Sequence, residues 1–187
     1  MSPSLEMVPA PGYTPMVGAL VAMLEYTRAT TLDAVAGLDV AALDHQHDGG
    51  ANPIGALLAH TAAIEWGYVV ATLGGPPPAP EVWAAWGPLF RLGPAAWAAA
   101  RGRPLDAHVA RLGAVRARTL EGLRAVDDAW LARPATLPWL RRPATHLWAW
   151  YHVMEHELNH RGQIRWRRSR LTAAAAPPGA PVSPDAA

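Results

Sequence analysis

Residues 152–164 read HVMEHELNHRGQI. Three of the chain's eight histidines recur here at steps of four. On an α-helix each step of four advances the azimuth by only about 40°, so His152, His156 and His160 share one stripe. Gln163 falls within it, near 20° from His152. Glu157, Arg161 and Arg168 fall near the opposite side, where Glu157 and Arg161 have the favourable i, i+4 order of a surface pair. Val153, Met154, Leu158 and Ile164 flank the histidines, which argues against a simple solvated face. Two readings of the stripe remain: buried, hydrogen-bonded polar groups, or part of a metal site.

Outward from this stretch, helical signals dominate. The helix that carries it is expected from about Ala144 to Arg170. Thr14-Pro15 reads as N-cap and N1 of a first helix, with Val17, Leu20, Val21, Leu24, Thr31, Leu32 and Val35 at helical spacing as far as Gly37. Asn52-Pro53 repeats the signal for a second helix, with Ile54, Leu57, Leu58, Thr61, Ile64 and Tyr68 on one face, ending before Gly74-Gly75. His60 sits at the edge of that apolar face. A third helix is expected from Asp106, with Val109, Leu112, Val115, Thr119, Leu123 and Val126 as its stripe. The connection over 76–104 holds Trp83, Trp86, Phe90 and Trp97. Its aromatic residues either pin the connection to the core or wall a substrate pocket. A further connection carries Pro134, Pro138 and Pro143, and 38–51 reads as a loop. No strand-like alternation stands out. Four helices with long connections predict an all-α fold, a four-helix bundle. The expected organisation is an extended segment over 1–13, one domain over 14–171, and a disordered Ala/Pro-rich tail over 172–187.

Composition narrows the chemistry. The chain has 187 residues, a formal charge of +1 and no cysteine. Disulfides, thiolate ligands and a cysteine nucleophile are therefore excluded, and any metal site must use His, Asp, Glu or neutral oxygen. No membrane span or signal peptide is read, and the expected location is cytoplasmic. The arginines of RGQIRWRRSR suit a helix C-terminus, and with a near-neutral chain they do not predict nucleic-acid binding. Gly162 is expected to allow close helix approach, within the bundle or across a dimer. His45, His47, His108 and His146 read as surface or loop residues.

HELNH, 156–160, matches the HExxH string of zinc proteases. That reading needs Glu157 to reach the metal's water, and in a short string on a bundle helix it is set aside. Two histidines do not complete a site. A catalytic zinc usually takes three protein ligands and keeps one open position, and His60 is the only histidine in the middle of the second helix.

LLAHTAAIEW, followed about ninety residues later by HVMEHELNHRGQI, resembles the DinB/YfiT superfamily of metal-dependent enzymes. HxxxHRGQI is the most specific element, and the likeness covers roughly Pro15 to Arg170. The resemblance implies a four-helix bundle with one divalent ion, zinc or nickel, held by His60, His156 and His160. His152 lies outside that ligand set. As a neighbour of the site it is expected to hydrogen-bond an exchangeable ligand or carry a proton. Relatives include bacillithiol- or mycothiol-dependent S-transferases and isomerases, and hydrolases. The expected function is a metal-dependent reaction on a small-molecule substrate, either transfer with a low-molecular-weight thiol or hydrolysis. The alternative is a non-catalytic metal-binding or stress-response interaction protein. A homodimer is also expected: the last helix is apolar around much of its circumference, and relatives pair through such helices.

Overall fold

α1 (Pro15–Val35) starts where the sequence predicts, but it is capped from a distance. Thr14 makes no cap bond to its own helix; its hydroxyl donates to Asp128. The backbone N–H groups of Met16 and Val17 donate to the same carboxylate oxygen, each at 3.0 Å. Two donors that a helix start leaves without partners are thus satisfied by tertiary structure. Asp128 opens α7 (Asp128–Ala132), a single short turn.

The computed structural model describes residues 5–74 and 77–175. Among these residues the chain is all-α apart from one pairing of two-residue strands, β1 (Pro134–Ala135) with β2 (Ala144–Thr145), antiparallel. Beside α1 and α7 stand α2 (Val40–Asp44), α3 (Ile54–Thr72), α4 (Pro80–Trp86), α5 (Pro94–Ala100), α6 (Leu105–Arg124) and α8 (His146–Ala175). The four long helices meet in the cyclic order α1, α8, α3, α6. Apolar stripes of α1, α3, α6 and α8 fill the space between them, with Leu24, Leu57, Leu112, Trp150 and Ile164 almost wholly buried.

Several sequence expectations shift. Residues 40–44 form a helix rather than a loop, because the Asp39 carboxylate accepts from the Ala42 N–H at 2.8 Å. Asn52 is not the cap of α3; Pro53 is, and Asn52 Oδ1 instead accepts from the Trp97 indole at 2.7 Å. The described part of the 76–104 connection, from residue 77, folds into α4, a 3₁₀ turn (Gly87–Phe90) and α5, with the turn and α5 packed along α3. α8 continues to Ala175, and residues 176–187 of the expected tail lie outside the described residues, as do residues 1–4 of the N-terminal segment.

α3 is long and apolar enough to cross a membrane by length and composition, but 78% of its apolar window is buried inside the fold. It is the central helix, touching α2, α5, α6 and α8. Gly162 is exposed, and a Cβ added there would meet nothing within 4 Å, so it serves no close approach inside this chain. His108 is not a surface residue. It is 2% exposed, and among the described residues neither ring nitrogen has a hydrogen-bond partner.

Candidate metal centre

α3 and α8 bring His60, His156 and His160 to one point. His156 and His160 are one turn apart on α8, so their rings project together, and α3 places His60 opposite. His60 Nε2 lies 3.0 Å from His156 Nε2, which lies 3.2 Å from His160 Nε2. All three candidate donor atoms fall within 4.8 Å of one another.

The ring tautomers follow from the outer partners. His60 Nδ1 stands 2.7 Å from the Leu89 carbonyl, which can only accept, so Nδ1 carries the proton. His160 Nδ1 likewise faces Gln163 Oε1 at 3.2 Å. Their Nε2 lone pairs therefore point at the common centre. His156 Nδ1 is buried, with no hydrogen-bond partner among the described residues. A single His156 proton shared between two neighbours would be a poor way to hold three rings together. One cation would accept a lone pair from each ring. Nitrogens about 2.0–2.1 Å from one ion stand roughly 3.0–3.4 Å apart, and the two contacts above fall in that interval. The donor set fits a divalent ion.

Electrostatics agree. Burial lowers the pKa of all three imidazoles. His156 falls furthest, to about 3, because burial is reinforced by His160, His60 and His152. The rings are neutral at neutral pH, the form that binds metal.

His152 is not part of this group. It is about one-third exposed, its ring stacks on Trp148 with centroids 5.1 Å apart, and its Nδ1 faces Glu155 Oε2 at 3.3 Å. Its ring centroid lies 6.1 Å from that of His156. It lines a cleft of about 610 Å³, together with Tyr68, Trp83, Phe90, Trp139 and Trp148. Of the aromatic residues singled out from sequence, Trp83 and Phe90 wall this cleft, whereas Trp86 stacks flat on Trp66 at 5.0 Å and pins α4.

Glu157 corrects the sequence reading most sharply. It is 1% exposed and does not pair with Arg161. Arg28 Nε of α1 donates to its Oε1 at 2.8 Å, and Arg116 Nη2 of α6 donates to its Oε2 at 3.5 Å. Glu65 of α3 takes Arg28 Nη2 at 2.7 Å and Arg116 Nε at 2.6 Å, with the Thr119 hydroxyl at 2.7 Å. Arg161 turns to the Thr30 hydroxyl instead. Each long helix thus gives one charge to a buried, balanced set of two guanidiniums and two carboxylates. Glu157 is committed there, which removes the glutamate that a protease reading of HELNH needs. The set also ties α3 to α8, the helices that carry the three histidines. The available signal was charge inside apolar stripes: Arg28 one turn after Leu24, Glu65 beside Ile64, Arg116 beside Val115.

An all-α chain that converges one histidine of α3 and two of α8 on a common point is built as a protein able to hold a metal ion. The chain belongs to the DinB superfamily, whose sequence model matches residues 23–164. No curated protein matches the chain.

Proposed function

We propose that this protein is a metal-dependent enzyme of small-molecule chemistry, in which His60, His156 and His160 hold one divalent ion, zinc or nickel. The observation that carries the reading is the convergence of three Nε2 atoms, two of them with Nδ1 facing an acceptor. When bound, the ion supplies Lewis acidity, which lowers the pKa of a thiol or water brought to it. The chain's own residues do the rest. The Leu89 carbonyl and Gln163 fix two ring orientations, and burial keeps the imidazoles neutral. His152 stands on the cleft wall; Glu155 beside Nδ1 favours the tautomer whose Nε2 accepts a proton. Because the chain has no cysteine, a sulfur nucleophile would come from a free low-molecular-weight thiol. We favour thiol-dependent transfer, with hydrolysis as the other reaction the same site would support.

We further propose a cytoplasmic homodimer with C2 symmetry. Leu147, Tyr151 and Trp166 of α8 remain exposed, apolar surface that a second copy of the chain would cover. The test of the metal reading is elemental analysis of the purified protein and of His60→Ala, His156→Ala and His160→Ala. About one zinc or nickel per chain is expected in the parent, with a sharp loss in each variant. Full stoichiometry in the triple variant would overturn it. Turnover with bacillithiol or mycothiol, set against ester and amide panels, separates transfer from hydrolysis.

A further inference from the structure

Residues 89, 90 and 91 do three jobs in succession. The Leu89 carbonyl accepts from His60. Phe90 packs on Gly67 so tightly that a Cβ there would stand 2.8 Å from the ring, and it walls the cleft beside the triad. Arg91 lines the same cleft. The volume of about 610 Å³ falls within the range of small-molecule sites, about 300–1,000 Å³.

The lining has a definite chemistry. Tyr68 and Trp139 meet edge to face with centroids 5.2 Å apart, and Trp148 lies nearly parallel to His152. Trp139 is 52% exposed and Trp83 41%, so large apolar rings stand partly in water at the cleft. Among the described residues Arg91 is the one formal charge in the lining, and the Glu155 carboxylate beside it is turned to the His152 Nδ1 at 3.3 Å. Arg141 and Arg142 follow directly on the wall residue Leu140 in the chain. An aromatic box for a cation works through ring faces and gains from nearby carboxylates; an arginine in the lining opposes that ligand.

We infer that this cleft takes a planar aromatic molecule of one or two rings carrying a carboxylate, its rings against the aromatic walls and its carboxylate on the Arg91 guanidinium. Arginine suits the anion because two parallel N–H donors match two carboxylate oxygens. That this molecule is the substrate rests on the proposed function; that the cleft binds it does not, since no contact needs an ion.

The test uses the full chain, as purified and after chelator treatment, titrated with 2-naphthoate, 2-naphthalenemethanol and 2-naphthylmethylammonium by calorimetry. In both preparations 2-naphthoate should bind roughly tenfold or more tighter than the alcohol, the worth of one charge-assisted contact, and the ammonium should bind most weakly. Arg91→Ala should bring the acid down to the alcohol and leave the alcohol unchanged. Trp139→Ala should weaken both. Equal affinity for acid and alcohol overturns the inference. So does an acid preference that persists in Arg91→Ala, whether it disappears on chelation, which would put the carboxylate on the ion, or not. If no metal is found in the protein, the chelator-treated titrations still decide, so failure of the metal reading and failure of this one are told apart.

Discussion

Glu65→Gln isolates what the buried charges contribute. Glu65 is 1% exposed and accepts from Arg28, Arg116 and Thr119 at 2.6–2.7 Å. Burial alone would raise its pKa, but the Arg116 and Arg28 guanidiniums outweigh that and hold the carboxyl at about 2, against an ordinary 4.5. At about 1.4 kcal/mol per tenfold, that difference corresponds to about 3 kcal/mol of stability. Glutamine keeps the shape and removes the charge, leaving two buried guanidiniums to share Glu157. Breaking a buried pair from one side costs about 3–5 kcal/mol, so the two routes agree. The sign follows from the lowered pKa. The contribution is complete above the unfolded value of 4.5 and is lost as pH falls from there toward about 2. Urea denaturation at neutral pH should therefore show the variant about 3 kcal/mol less stable, and thermal denaturation a Tm lower by roughly 6–12 °C for a chain of this size. The deficit should shrink below pH 4.5, because the unfolded parent then takes up a proton at Glu65 that the folded parent does not, while the glutamine variant has none to bind. Adding Arg28→Met should recover part of the loss, since the unmatched cation goes with it. A variant within 1 kcal/mol of the parent at neutral pH, or a deficit that does not change between pH 5 and 3, would refute the reasoning.

Other expectations follow from single side chains. Burial first, then Arg111 and Arg103, lowers the His108 pKa from 6.5 to about 4, so its contribution is intact above 6.5 and is lost as pH falls toward 4. The parent should lose up to about 3 kcal/mol from this group, and an unchanged acid slope in His108→Leu would remove the assignment. His152→Ala should leave metal content unchanged while lowering turnover; a fall to half the metal or less would make His152 a ligand. Light scattering at micromolar concentration should give the dimer mass for the parent and the monomer mass for Tyr151→Glu; a parent that is monomeric throughout counts against the dimer.

The all-α class was legible because helical periodicity is strong from Val17 to Val35 and from Val109 to Val126, with proline at the start of two helices. The site histidines were legible for a narrower reason. Spacing put His156 and His160 on one stripe, but nothing in spacing chose His60; the resemblance did. Short elements escaped where tertiary partners decide them. Val40–Asp44 folds under an Asp39 cap within a stretch rich in Gly, Asp and His. Asn52, a good cap by type, was taken by the Trp97 indole. Glu157 misled because a helical wheel shows azimuth and not what lies opposite. At about 140° from His152 it faces α1 and α6 rather than water, and the Arg28 and Arg116 that receive it are 129 and 41 residues away in the chain.

The arrangement also explains how a site of three facing lone pairs can exist in a stable fold. Three neutral imidazoles, His60 and His160 buried and His156 half-buried, with the His156 Nε2 3.0 and 3.2 Å from the other two, repel one another weakly and satisfy little. Held by loops, they would separate. Here each supporting helix is fixed close to its ligand by an independent bond. Glu65 anchors α3 five residues after His60, and Glu157 anchors α8 between His156 and His160. The charges of that anchor cancel within it and do not reach the triad as hydrogen-bond partners. The ion-pair network thus holds α3 and α8 together close to the histidines, and on the proposed reading a metal ion would relieve the repulsion rather than assemble the fold. This is the reverse of a zinc finger, where the metal supplies the folding energy.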